Sequence, residues 1–180
     1  GVFIWDLQRG TLIQQLSLSD PARCVTFIDS ATSATVTHVA VGDDLGVIHC
    51  WELLHETPTS VFTAHDESIT QLLAGPDGAI TSIGADGEAH IWDLESTEEP
   101  RISVSHSSRI HDATFLADQR ALVTVGFDGM LGLWSTETGL LLGWYRVPSA
   151  GYCVTLVPGS TNVAVSTATQ IELIDLSEAL

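Results

Sequence analysis

Residues 79–94 read Ala-Ile-Thr-Ser-Ile-Gly-Ala-Asp-Gly-Glu-Ala-His-Ile-Trp-Asp-Leu, and residues 121–136 read Ala-Leu-Val-Thr-Val-Gly-Phe-Asp-Gly-Met-Leu-Gly-Leu-Trp-Ser-Thr. Laid over one another they set Ser82 against Thr124, Asp86 against Asp128, Gly87 against Gly129 and Trp92 against Trp134. In both, two short runs rich in apolar residues flank an Asp-Gly pair, the pattern of two strands joined by a tight turn in which the glycine takes a positive φ. Ile91 and Trp92 fall on opposite sides of a pleat, a period of two that a helix does not give.

Working outward, Trp51, Trp92 and Trp134 are separated by 41 and 42 residues, Trp5 stands 46 before Trp51, and Ile174 stands 40 after Trp134. One period of about 40 to 45 residues is that of a four-stranded propeller blade. Strands are expected at about 59–63, 69–74, 79–82 and 89–94 in one unit, and at about 101–105, 110–115, 121–124 and 130–135 in the next. The units run approximately 8–51, 52–92, 93–134 and 135–176 within a single domain spanning 1–180, preceded by a lead-in strand. Five extra residues in the first of these units fall in Asp29–Thr37, a Ser/Thr/Ala-rich stretch that enlarges a hairpin loop. No amphipathic helix is expected.

The pattern resembles the WD-repeat family over essentially the whole chain. In that family a His before the inner strand, a Ser or Thr on the next strand, the Asp of the tight turn and the Trp of the third strand form a hydrogen-bonded chain. His65, Ser82, Asp86 and Trp92 match it, and His106, Thr124, Asp128 and Trp134 match it again; in both, the Asp stands four residues after the hydroxyl and six before the Trp. The resemblance implies an all-β fold, a β-propeller of four-stranded antiparallel blades. It implies about four WD repeats here and a larger parent propeller of about seven blades. A buried carboxylate needs several donors, and the His, the hydroxyl and the indole are expected to supply them. Ser, His and Asp together also suit a hydrolase triad, but a set that recurs once per unit points to a structural network.

The pattern breaks twice. In the unit ending at Trp51, Val41 stands in the hydroxyl position and Leu45 in the turn position, with Asp43 and Asp44 just before it, so its network is expected to be absent. In the last unit Ala168 and Ile174 replace the Asp and the Trp, leaving apolar packing alone. An arc of blades has open edges, which makes self-association a candidate behaviour.

The formal charge is −17, from 23 acidic residues against 6 Arg and no Lys. Such a field opposes direct nucleic-acid binding and contact with anionic membranes. It reads first as solubility and second as a docking face for a basic partner. No apolar run approaches the roughly 20 residues of a spanning helix. Cys24, Cys50 and Cys153 form no CxxC pair and are odd in number, as in small buried hydrophobes of a reducing, cytoplasmic setting. Phosphate-loop, dinucleotide and hydrolase-elbow motifs are missing, and the seven histidines show no metal-ligand spacing, so no cofactor and no metal are expected.

The resemblance places partner contacts on the loops entering the inner strands and on the residues before each turn Asp. These are Asp44 in the first full unit, Asp66, Glu67, Ser68 and Ala85 in the next, and Ser107, Ser108, Arg109 and Phe127 in the third. Phe127 beside Arg109 suits an interface anchor. Trp144 and Tyr145 on an outer strand, and the acidic group Glu95, Glu98 and Glu99, are secondary candidates. The leading expectation is a non-catalytic scaffold that binds proteins or peptides. The rivals are an enzymatic or ligand-binding propeller using a central channel, with His111 and Asp112 as its inward chemistry, and a regulatory sensor module of a larger enzyme.

Overall fold

The computed structural model describes residues 1–30, 33–94, 96–177 and 179, and at 30 and 33–35 the backbone alone. β1 (Val2–Asp6) and β2 (Thr11–Leu16) form a two-stranded sheet. β3 (Ala22–Ser30), β4 (Ser33–Asp43), β5 (Val47–Glu52) and β6 (Ser60–Thr63) form the first four-stranded sheet. The second comprises β7 (Ile69–Ala74), β8 (Ile80–Gly84), β9 (Glu88–Trp92) and β10 (Ile102–Ser105). The third comprises β11 (Ile110–Phe115), β12 (Ala121–Gly126), β13 (Met130–Ser135) and β14 (Leu141–Arg146). A three-stranded sheet of β15 (Gly151–Leu156), β16 (Asn162–Thr167) and β17 (Ile171–Asp175) follows. All pairing is antiparallel between sequential strands, so connections stay short. Among the described residues the one helical turn is the 3₁₀ turn Pro76–Gly78.

Each sheet takes its outer strand from the start of the following sequence unit, since β6 pairs with β5 and β10 with β9. The sequence period and the sheet are therefore offset by one strand. Inner strands β3, β7, β11 and β15 lie side by side, which stacks the sheets face to face. Four apolar layers fill the spaces between the five sheets. Val39, Val41 and Trp51 pack towards β1–β2, while Ala40, Ile48 and Cys50 meet Ile69, Ile80 and Trp92. Ile83 and Ile91 meet Ile110 and Leu122, and Val123 and Leu131 meet Val154 and Val165. Strict alternation along β4 and β12 thus sends successive side chains into different layers, the signature of strands buried on both faces.

The inner strands share one irregularity. Each bulges after its first residue, between Ala22 and Cys24, Ile69 and Gln71, Ile110 and Asp112, and Gly151 and Cys153. A bulge re-aims the extra side chain, here Arg23, Thr70, His111 or Tyr152. The reading of all three cysteines as buried is corrected. Cys50 is buried and Cys24 partly so, but Cys153, two residues beyond the bulge start, is exposed.

Candidate functional site

The family-type residues sit at one end of the strands. His65 Nδ1 lies 3.0 Å from Asp86 Oδ2, His65 Nε2 lies 2.8 Å from Ser82 Oγ, and Trp92 Nε1–H donates to that oxygen at 2.9 Å. The next sheet repeats this, with His106 Nδ1 3.1 Å from Asp128, Nε2 2.7 Å from Thr124 Oγ1, and Trp134 Nε1–H donating to Thr124 Oγ1 at 2.7 Å. Proton bookkeeping sets the direction. The indole can only donate, so the hydroxyl accepts from it and gives its own proton to His Nε2, which leaves Nδ1–H to face the carboxylate. The expectation that His, hydroxyl and indole all serve the carboxylate is thereby corrected: they form a line, and only the His reaches the Asp. The remaining donors are backbone N–H groups, of Asp66 and Glu88 to Asp86, and of Ser107 and Met130 to Asp128, with the Ser107 hydroxyl adding one more to Asp128. One carboxylate therefore ties the loop entering the inner strand to the tight turn. Asp86 and Asp128 keep 14% and 10% of their side-chain surface, partly rather than wholly buried.

Desolvation pushes the Asp128 carboxyl up, but the His106 hydrogen bond and charge and the N–H groups of Met130 and Ser107 outweigh it and hold it below its ordinary value. His90, whose ring stacks 4.6 Å from that of His65, is pushed down to about 4 by burial and then by the charge of His65, against the pull of Asp86. The half-exposed Glu88 carboxylate, 3.2 Å from His90 Nε2, acts in the opposite direction and is weakened by solvent. Between the unfolded value of 6.5 and about 4, the unfolded chain binds a proton at this position and the folded one does not. Stability is therefore present above that window and lost as pH falls through it, and Asp128 extends the loss below 3.8. Urea denaturation from pH 7 to 4 should show a decline to which His90 contributes up to about 3 kcal/mol. In His90→Gln the slope between pH 6.5 and 4 should flatten; an unchanged slope contradicts the assignment.

The network expected to be absent around Trp51 is present in another form. Asp43 Oδ1 accepts from Leu45 N and Val47 N at 2.9 Å each, and Oδ2 lies 3.0 Å from His49 Nε2. Asp43 pairs with Ala22, as Gly84 pairs with Ile69 and Gly126 with Ile110, so it occupies the register of those glycines. At Gly84 a Cβ would stand 2.2 Å from Asp86 Oδ1 and 2.3 Å from His65 Nδ1. Here Leu45 replaces the turn Asp and Leu18 stands four residues before the inner strand in place of the His. Asp43 caps the same turn from the strand side, through the N–H groups of Leu45 and Val47. The substitution is incomplete: Val41 offers no hydroxyl, and the buried Trp51 Nε1 has no hydrogen-bond partner.

Of the loop candidates, Asp66, Glu67, Ser107, Arg109 and Phe127 are exposed, whereas Ser68, Ala85 and Ser108 are half-buried. The turn of each sheet nests in the loop of the next, with Gly46 against the carbonyls of His65 and Glu67, and Gly87 against that of Ser108. Asp44 is held by Arg23. Phe127 N–H donates to Arg109 O at 2.9 Å, which sets the two side chains next to each other. Trp144 is 57% exposed on β14, Tyr145 packs against the last core layer, and Glu95 lies outside the described residues.

The inner-strand chemistry is occupied. Gln71 Nε2 donates to Asp112 Oδ1 at 2.8 Å, Ala113 N–H donates to Gln71 Oε1 at 3.0 Å, and Val154 N–H donates to Asp112 Oδ2 at 2.8 Å. These bonds clasp β7 to β11 and β11 to β15. Sequence reading missed the clasp, although Gln71 and Asp112 stand one period apart. Ser82 and Thr124 are fully buried and already bonded on both sides, so neither oxygen meets a carbonyl carbon arriving from solvent.

The described residues form an all-β stack of antiparallel sheets of the β-propeller kind, two of which carry at one end a His–Asp pair and a Trp–hydroxyl bond. Residues 56–93 match a family model described as WD domain, G-beta repeat. The chain is 26% identical over 151 residues to the Protein LST8 homolog of Drosophila melanogaster, covering 76% of this chain and 45% of that protein. It is 28% identical over 152 residues to Eukaryotic translation initiation factor 3 subunit I of Drosophila ananassae, covering 79% and 47%. The chain thus spans about half the length of the curated relatives it matches. In fold it is similar to the computationally designed Ika4 protein, with TM-score 0.78, 19% identity, and coverage of 92% of this chain and 98% of that one. A chain in the crystal structure of the Mitotic Checkpoint Complex gives TM-score 0.83 at 17% identity, covering 99% and 55%. The chain's resemblance is to the WD-repeat family.

Proposed function

We propose that this chain is a non-catalytic scaffold segment that binds proteins or peptides through the end of the propeller carrying Asp44, Asp66, Glu67, Ser68, Ala85, Ser107, Ser108, Arg109 and Phe127. The observation that carries this reading is the coupling of loop to network. The carboxylates that anchor His65 and His106 also accept the backbone N–H of Asp66 and Ser107, so the contact loops are fixed before a partner arrives. Preorganisation lowers the ordering cost of association, and exposed aromatics on rigid elements make interface anchors. The name of one relative, a translation initiation factor subunit, denotes part of an assembly, which supports the same reading. Repeat units 8–51, 52–92, 93–134 and 135–176 act as one domain in it, in an intracellular, cytoplasmic setting. The channel-enzyme alternative has less support, because Asp112 spends both oxygens on the neighbouring strands.

Affinity capture with the full-length immobilised protein tests the proposal. Phe127→Ala is expected to weaken retention of its specific partners about tenfold or more while the unfolding midpoint stays unchanged. Equal retention by Phe127→Ala and by Arg109→Ala would remove this end as the binding surface.

A further inference from the structure

Resting on the scaffold reading, and going on to the chemistry of its partner, we propose that Arg109, His111, Phe127 and Tyr152 form an anchoring site for an acidic peptide segment in which a carboxylate neighbours an aromatic or long aliphatic side chain. The site joins two sheets. The His111 ring lies 5.9 Å from that of Phe127, its own sheet's turn residue, and 5.2 Å from that of Tyr152 on the next inner strand. His111 and Tyr152 are both bulge residues, so the same backbone irregularity aims the two rings at each other. Phe127 is 60% exposed and Tyr152 47% exposed, and His111 Nε2 is covered with no hydrogen-bond partner. The Phe127 and Tyr152 rings thus both neighbour His111 and are open to solvent.

Charge decides which segment fits. Among the described residues the arginines in ion pairs are Arg9, Arg23 and Arg101; Arg109, beside Phe127, has no carboxylate within 4.0 Å. Asp112, three residues from Arg109, is engaged by Gln71 and Val154 N–H, and Asp128, next to Phe127, by His106, two backbone N–H groups and the Ser107 hydroxyl. Burial first, and then the positive charge of Arg109, hold His111 below its usual value, so Arg109 is close enough for its charge to be felt at the ring. The net charge of −17 works at long range, but beyond about 8 Å it is screened at physiological salt. A carboxylate touching Arg109 forms a charge-assisted hydrogen bond inside that radius. Nucleic acid offers phosphates and stackable bases too, but its affinity comes from many phosphates at once, which the acidic surround opposes.

Fluorescence anisotropy at physiological salt, on the full-length protein, tests the site with four labelled probes. They are the peptides Gly-Glu-Glu-Phe-Glu-Gly, its Gln-for-Glu and Lys-for-Glu counterparts, and a thymidine hexanucleotide. Saturable binding of the Glu peptide is expected, with the Gln peptide about tenfold weaker and the Lys peptide and oligonucleotide weaker still. Arg109→Gln should bring the Glu peptide down to the level of the Gln peptide, Tyr152→Ala should weaken both, and Arg146→Gln, on the outer strand, should change neither. Preference for the Lys peptide or the oligonucleotide overturns the acidic partner. So does binding indifferent to charge, or no saturation of the Glu peptide by about 1 mM protein. A Phe127-dependent preference for the Lys peptide would leave the scaffold reading standing, whereas unchanged protein capture by both Phe127→Ala and Arg109→Ala fails that reading alone.

Discussion

His106→Ala is expected to lower the free energy of unfolding by about 3 kcal/mol in urea denaturation at pH 7. The ring is the middle of a line: its removal takes the side-chain partner from Asp128 and the proton acceptor from the Thr124 hydroxyl, and opens a cavity beside Trp134. A hydrogen bond to a charged group contributes about 1.5–3 kcal/mol, and the lost Thr124 bond and the cavity add to this, while Asp128 keeps 10% of its surface and its bonds to Ser107 N and Met130 N. The same substitution at His65 should cost about as much. A loss below about 1 kcal/mol at both positions would mean that neither His braces its sheet.

Gly46→Ala is expected to cost about 3 kcal/mol or more, read by the same denaturation, and to displace the 65–67 loop. Gly46 has φ +80°, and an added Cβ would stand 2.1 Å from the His65 carbonyl oxygen and 2.7 Å from that of Glu67. The first is a backbone atom on a loop fixed by Asp86, so it yields only by straining the His65–Asp86 bond. Gly10 is the control. Its φ is +65° with nothing within 4 Å of the added atom, so Gly10→Ala should show only the conformational penalty of about 1 kcal/mol. Equal effects at Gly46 and Gly10 would show that the turn does not nest against the neighbouring sheet.

Much of this architecture was legible in the sequence because strand alternation and a fixed spacing survive as linear patterns. The Trp51, Trp92 and Trp134 period set the sheets, and the intervals from Ser82 to Asp86 to Trp92 set one line of hydrogen bonds. What was not legible depends on which groups meet rather than on spacing. Asp43 stands two residues before the turn position that spacing marks, yet its carboxylate accepts the N–H groups of the same turn and meets His49. The order of the network was likewise hidden, since composition names donors and acceptors but not which pairs touch. The pairing of His111 with Tyr152 comes from bulges, which leave no mark in an apolar pattern.

Stability and binding measured on the same two variants test the central claim most directly, that His65, Ser82, Asp86 and their counterparts brace a surface whose loops do the binding. For His106→Ala, denaturation midpoint and partner retention in the folded fraction should show lost stability with retained binding; for Phe127→Ala, they should show retained stability with lost binding. The reverse pattern, binding or turnover abolished in folded His106→Ala and untouched in Phe127→Ala, would contradict it.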